Sequence, residues 1–582
     1  TWRAVVPTLR QPGEPFQLGL KCEDRWGNPT HRVSGDLRLE PSLAVEGLPA
    51  QIEFPLGERS LTLEGLRCNG EGVLRIGVFS GNQQVAEAGP LVIESQVHSG
   101  YWGDLHGQSG ESIGITTAAE YFDFARNKSF LDVSSHQAND FQVNNAFWGH
   151  VNELTAHHHE EGRFITFPGY EWSGNTSVGG DRNVFFREEG RGIRRSSHAL
   201  LTDRSDLHTD APNARALFEA LQDEDCVVFA HVGGRYADIG YAHDPRLEKA
   251  MEIHSAWGTF EWLLTDGFPL GHRSGVVCNS DGHKGRPGAS YPGASMFGAY
   301  GGLTCFLAEN LSRDGIFDAL RRRHHYGTTG CRMHMAVHAN FSAEAEVFEE
   351  DPNVYPDTPS RQASRAMMGD IVRCNAEAVD LEVRVLAHAP IESIEVRNAT
   401  DVVEVLRPFS ESDLGPRVRV VWSGAEYRGR GRETNWVGRA RFHGCSIERM
   451  TKINAWNHER LLEQRGVDAV EWDAITTGNF GGFDAYLREG DGASLEIRTN
   501  LGDMDIPLAD LGMNPVLHEA GGLRRELRVS RLPDRGGATD QGREIEATVR
   551  VPLDGSRDNP LWICVTTEDG FQAWSSPIFV FS

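Results

Sequence analysis

The sequence predicts an α/β core held between two β-rich regions, and three observations carry that reading. Apolar strand-like runs alternate with helical patterns from residue 98 to 345. Short alternating runs broken by turn signals fill 1–97 and return over 346–582. Histidine is concentrated in the middle stretch, which holds 18 of the 23 although it is well under half of the 582 residues.

The first region reads PFQLGLKCED, RWGNPT and SLTLEGLRCNGEGVLRIGVFSGN. Period-2 alternation with Gly and Pro between the runs predicts a small β-sandwich over 1–97. In the second region helices are expected at 116–128, 146–161, 213–224 and 312–325, with Asn144-Asn145 before the second and Ser312 as N-cap of the last. Between them lie the strands RFITFPG, CVVFAH, AMEIHS and SGVVCNS. Strands alternating with helices predict a parallel sheet over 98–345, as a barrel or a doubly wound sheet. After the Pro-rich stretch PNVYPDTPSRQ, runs such as EAVDLEVRVLAH, RVRVVWSG and REIEATVRV predict a β-rich C-terminal domain over 346–582.

Composition excludes several classes. Lys plus Arg is 57 against 83 Asp plus Glu, a formal charge of −26, so neither nucleic acid nor an anionic membrane surface is an expected partner. No run approaches 18 apolar residues, so no transmembrane helix is expected. The nine cysteines are scattered without a CxxC pair and several sit in apolar strands. They read as buried hydrophobes of a reducing compartment, which places the protein in the cytoplasm. GGDRN and HVGGR match neither a P-loop nor GxGxxG, and no GxSxG elbow occurs.

The chemistry is expected at strand ends. GYWGDLHGQS sets Asp104, His106 and Gln108 at i, i+2, i+4, which share one face of extended chain. LDVSSH ends at His136, FITFPGYEW at Glu171 and CVVFAH at His231. AMEIHS carries Glu252 and His254, and GVVCNSDGH delivers Asp281 and His283. In a parallel barrel such ends converge on one mouth. Imidazoles mixed with carboxylates suit Zn²⁺, Mn²⁺ or Fe²⁺. The triplet His157-His158-His159 and the pair His324-His325 read as surface. Arg182 and Arg235, flanked by glycines, are expected to bind an anionic substrate. Trp172 and Trp257, beside the ligand candidates, would face an apolar or aromatic part of it.

The stretches YWGDLHGQS, FDFARNKSFLDVSSHQAND, FPGYEW, GGDRNVFF, FAHVGG, EIHSAWGTFEW, NSDGHKGRPG, LRRRHHYGTTGCR and AWSSPIFV resemble the PHP (polymerase and histidinol phosphatase) superfamily, in a PHP-like branch catalogued as a domain of unknown function. The resemblance implies a distorted (β/α)7 barrel and a metal site. His106 matches the first His of the family's HxH, and His136 the His of its DH pair. Glu171, His231, Asp281 and His283 match further ligands, with Glu252 or His254 on the strand that gives one more. Gln108 stands where the family has the second His, and Ser135 where it has an Asp, so one or two divalent ions (Mn, Zn or Fe) are expected rather than three.

The predicted ligand set is therefore His106, Gln108, His136, Glu171, His231, Glu252, Asp281 and His283, with His254 and His283 as catalytic proton carriers. The expected function is a metal-dependent hydrolase of a small organic phosphoester, carboxylic ester or amide. Two alternatives are a metal-dependent lyase acting by proton abstraction, and a non-catalytic carbohydrate-binding or scaffold protein with a degenerate site.

Overall fold

A computed structural model describes residues 1–288, 298–429, 431–535 and 541–582, apart from the side chain of residue 491. The molecule is mostly β. Residues 2–93 form two facing sheets. One joins Trp2–Val5, Pro15–Cys22 and Ser60–Arg67. The other joins Leu9–Arg10, Gln83–Ile93, Gly72–Ser80, Gly35–Pro41 and Gln51–Phe54. Alternation does the sorting: Leu18 and Leu20 from one sheet and Leu37, Leu39, Leu74, Ile76 and Val78 from the other meet in one core, while their neighbours face outward.

The central region keeps the predicted strands and helices but does not close into a parallel barrel. Ser99–Asp104, Val133–Ser135 and Ile165–Phe167 run parallel. So do Cys226–Ala230, Glu248–Ser255 and Gly275–Cys278. These triplets belong to different sheets. Gly169–Ser173 is followed not by a crossover helix but by a tight return into Asp181–Phe186. That strand pairs antiparallel with both Gly169–Ser173 and Cys226–Ala230. Leu303–Ala308 likewise lies antiparallel to Ser99–Asp104. The two sheets touch at their rims through isolated parallel bridges, Gly107 to Gly282 and Asn139 to Glu171.

The helices begin where their caps dictate. Thr117 closes a capping box with Glu120 at the head of Ala118–Asn127. Asn144 and Ser312 cap Asn145–His158 and Arg313–Arg321. The expected helix at 213–224 is shorter, Ala214–Ala220, with Asn213 as its cap.

Hydrogen bonding continues from the central strands into the C-terminal region. His325–Thr328 pairs with Gln572–Ser575, which pairs with Asn559–Thr567, so the last strands of the chain complete the sheet that begins at Ser99. A separate eight-stranded sheet is built on the long strands Leu414–Ala425, Thr434–Ile453, Phe480–Thr499 and Leu523–Pro533. Trp422 and Trp472 stack in its core at 4.9 Å between ring centroids. All nine cysteines are free thiols and eight are buried. No helix among the described residues is long and apolar enough to cross a membrane.

Candidate metal centre

Five side chains, each on or just past the end of a different strand, converge at the rim where the two sheets meet. His106 follows Ser99–Asp104, Glu171 lies on Gly169–Ser173, Asp181 opens Asp181–Phe186, His231 follows Cys226–Ala230 and Asp281 follows Gly275–Cys278. One ligand atom each from His106, His231 and Asp281 lie within 4.8 Å of one another, and so do atoms of Glu171, Asp181 and His231. All five residues are buried.

Their polar atoms are not satisfied by one another. His106 Nε2 and both nitrogens of His231 are buried without a hydrogen-bond partner among the described residues. His106 Nε2 stands 3.4 Å from Asp281 Oδ1 and 3.6 Å from Glu171 Oε2, while His231 Nε2 stands 3.6 Å from Glu171 Oε1. Most buried polar atoms in folded proteins are paired, so orphaned imidazole nitrogens gathered at one place beside carboxylates are informative. Gly233 leaves the space they surround: a Cβ there would lie 3.3 Å from each of Asp181 Oδ2, Asp281 Oδ2 and His231 Nε2. Imidazole nitrogens and carboxylate oxygens gathered around the space beside Gly233 could hold a divalent metal ion.

The surroundings orient these groups. Glu252 accepts from His106 Nδ1 at 3.0 Å and from the Asn279 amide at 2.7 Å, which leaves His106 Nε2 facing the hollow. Asp104 gathers the backbone N–H groups of His106, Ser280 and Gly288, tying the loops that carry His106 and Asp281 together. Asp281 sits at φ 45°, a left-handed conformation that Asp tolerates better than most residues.

Electrostatics follow from burial. Burial raises Asp281 to about 7, with His106 opposing and Glu171 reinforcing. Asp181 rises to about 6 by burial, held back by Arg235. Burial would depress His106, but Asp281 and Glu252 outweigh it and lift the imidazole well above its ordinary value. Glu171 goes the other way: burial is outweighed by the His106 and His231 imidazoles, each 3.6 Å away, which hold its carboxyl well below the usual range.

Several predicted site residues are placed otherwise. Gln108 is not set up as a ligand: its amide donates to Glu171 Oε2 at 3.0 Å and its carbonyl accepts from Ser112 at 2.9 Å. His136 lies outside both converging groups; its Nε2 bonds Ser109 Oγ at 2.8 Å, and burial lowers it to about 4. Glu252 stands behind His106 rather than beside the hollow. His254 has both nitrogens engaged, by Thr259 Oγ1 and the Tyr300 carbonyl, each at 2.8 Å, which removes it as a proton carrier.

Arg182 is fully buried, paired with Glu248 at 2.9 Å and bonded to backbone carbonyls of Gly180 and Ala242. It faces away from Asp181 because neighbours on a strand point to opposite sides. Trp172 is core, its indole N–H on the Ala211 carbonyl. His283, Trp257 and Arg235 do remain at the mouth. The half-buried His283 imidazole meets the Trp257 ring edge-on at 6.0 Å, and burial lowers its pKa. Arg235 donates to Asp181 at 2.7 Å and reaches to 3.7 Å of Glu171.

Asp181 was missed because only C-terminal strand ends were read as site-bearing. It heads an antiparallel strand, so its N-terminal end lies at the same rim; the signal was present in GGDRNVFF, one residue before Arg182. Asn183 shares the Asp181 face, and its buried amide has no partner among the described residues.

A family model described as a protein of unknown function (DUF3604) matches residues 81–231 and 277–392, which include His106, Glu171, Asp181, His231 and Asp281. An uncharacterized protein of Chlamydia pneumoniae is 25% identical over 358 residues, 56% of each chain. Another, of Chlamydia trachomatis serovar D, is 23% identical over 361 residues, 57% of this chain and 56% of that one. The match spans about half the length of these relatives. A crystal structure of a two-domain protein containing a predicted PHP-like metal-dependent phosphoesterase, from Bacteroides vulgatus, overlaps 69% of this chain and 91% of its own at 11% identity, with a TM-score of 0.29.

Proposed function

We propose that this protein is a metal-dependent hydrolase of a small anionic organic substrate. The observation that carries the reading is the hollow beside Gly233, ringed by His106, Glu171, Asp181, His231 and Asp281 with orphaned imidazole nitrogens. His106, His231 and Asp281 would hold one divalent ion, and Glu171 and Asp181, sharing His231, would offer a second seat. A bound ion supplies Lewis acidity and a water acidic enough to give hydroxide near neutral pH.

The chain's own residues supply the rest. Arg235, fixed by Asp181 but with its side chain about one-fifth exposed, is placed to pair with a substrate anion. Trp257 walls the mouth beside His283. His283, its basicity lowered by burial, can take a proton on an imidazole nitrogen and pass it to the leaving group. Glu252 and Asp104 hold His106 and its loop in place.

Purified protein should carry one or two equivalents of a transition metal. It should turn over p-nitrophenyl phosphate or p-nitrophenyl acetate, and His231→Ala should lose both metal and turnover. Equal turnover by wild type and His231→Ala would remove this site from consideration. An unsaturated product formed without incorporation of labelled water oxygen would replace hydrolysis by elimination at the same site.

A further inference from the structure

We infer that the C-terminal eight-stranded sheet is a working wall of the metal site, and that Arg432 is its positioning residue; the inference rests on the metal reading above. Arg432 precedes Thr434–Ile453, a strand of that sheet, and lies beyond the matched family segments. Its side chain is nevertheless almost wholly buried, 1% exposed, and its guanidinium donates to the carbonyl of Gly233. Gly233 is the residue whose missing side chain opens the hollow between Asp181, Asp281 and His231, and it lies between His231 and Arg235 in the chain. The same guanidinium lies over the ring of Phe260 at 5.2 Å and that of Trp257 at 6.0 Å. One cation from the far sheet thus holds two sides of the mouth: the turn that carries His231, and the aromatic wall against His283.

The contact is built at backbone distance. Thr259 N–H donates to the Thr477 carbonyl at 3.1 Å. A Cβ on Gly258 would come within 2.1 Å of that carbonyl oxygen, and one on Gly478 within 1.9 Å of the Thr259 carbonyl oxygen. Glycine on both sides is what lets the two segments approach. Further out, Arg428 pairs with Asp266 at 2.7 Å and covers Trp262, an exposed contact of the same interface that does not touch the ligand turn. The Gly233 carbonyl is a backbone group held by a side chain rather than by a sheet ladder. Removing that hold frees the turn to rotate and moves His231 relative to Asp281.

The test is Co²⁺ binding by the full chain, read as affinity by competition with a chelator and as the visible d–d spectrum, which reports ligand geometry. Arg432→Met should bind Co²⁺ about 10-fold more weakly with a changed spectrum, the low end of what loss of a supporting residue costs a metal site. Arg432→Lys, which keeps a cationic donor, should recover most of both, and Arg432→Gln should fall between. Arg428→Ala should leave affinity and spectrum as in wild type. Thermal melts establish that each variant is folded; should Arg432→Met fail to fold, Arg432→Gln against Arg432→Lys decides alone. Wild-type affinity and spectrum in every folded Arg432 variant, or an equal loss in Arg428→Ala, overturns the inference. Absence of Co²⁺ binding by the wild type would instead overturn the metal reading, and the inference with it.

Discussion

Two clusters in this molecule bury charge, and they are built on opposite plans. Between the eight-stranded sheet and the last strands, Asp484 accepts from Arg417 Nε at 3.0 Å and from Arg419 Nε at 2.8 Å, while Glu568 and Glu392 pair with the same arginines. None of Asp484, Arg417, Arg419, Glu392 and Glu568 has a buried side-chain atom without a hydrogen bond among the described residues. At the rim beside Gly233 burial is as deep, yet imidazole nitrogens are left open and like charges crowd together. The first arrangement closes on itself and holds two parts of the fold together. The second leaves nitrogen atoms open toward a shared space. Equal burial therefore means different things, and hydrogen-bond closure distinguishes a clamp from a site.

The largest expected effect breaks the clamp. Asp484→Asn leaves two buried guanidinium groups short of their shared carboxylate, so it should cost about 3–5 kcal/mol in urea unfolding. Co²⁺ affinity of the folded protein should stay unchanged. A clamp variant that also lost metal would show the two clusters to be one coupled unit.

The second prediction uses the opposite signs of the two buried aspartates. The Arg417 and Arg419 pair holds the Asp484 carboxyl below its ordinary value despite burial, so its contribution is present above about pH 4 and is lost as pH falls through its folded value. Asp281 is raised to about 7 by burial. In the native state it therefore holds its proton where the unfolded chain has released it, and the metal-free protein loses stability as pH rises from about 4 to 7. Asp281→Asn removes that cost. Measured by chelator-treated unfolding, the variant should gain on wild type with a slope of up to about 1.4 kcal/mol per pH unit across that window. With metal present the order should reverse, because the ion takes the place of the proton. Parallel pH curves for the two metal-free proteins would refute the burial argument.

The same contrast explains what was legible in the sequence. Local rules carried well: Asn144 and Ser312 cap helices as their side chains require, and the strand runs form where apolar alternation places them. His106, Glu171, His231 and Asp281, which the structure brings together, were readable as strand-end residues because each follows or ends an apolar run. Strand direction was not readable. The return into Asp181–Phe186 is a long-range pairing choice, and it decides both that no parallel barrel closes and that Asp181, not Arg182, faces the site. Hydrogen-bond closure was equally invisible. His254 and His231 both end apolar runs, and only the positions of Thr259 and Tyr300 show that one imidazole is occupied. Arg432 was out of reach because nothing local links it to a turn 199 residues away.

The smallest expected effect sharpens the boundary of the site. His136 is a buried strand-end histidine like His231, and its Nδ1 also lacks a partner among the described residues. What separates them is company. His136 meets the edge of the Tyr121 ring at 5.2 Å and bonds Ser109, with no carboxylate in either converging group near enough to share a cation with it. If convergence rather than orphaned nitrogen defines the site, His136→Ala should reduce Co²⁺ affinity by less than the roughly 10-fold that even a supporting residue brings, with no change in the d–d spectrum. A loss as large as that of His231→Ala would extend the ligand set across the bridge between Asn139 and Glu171 and make His136 part of it.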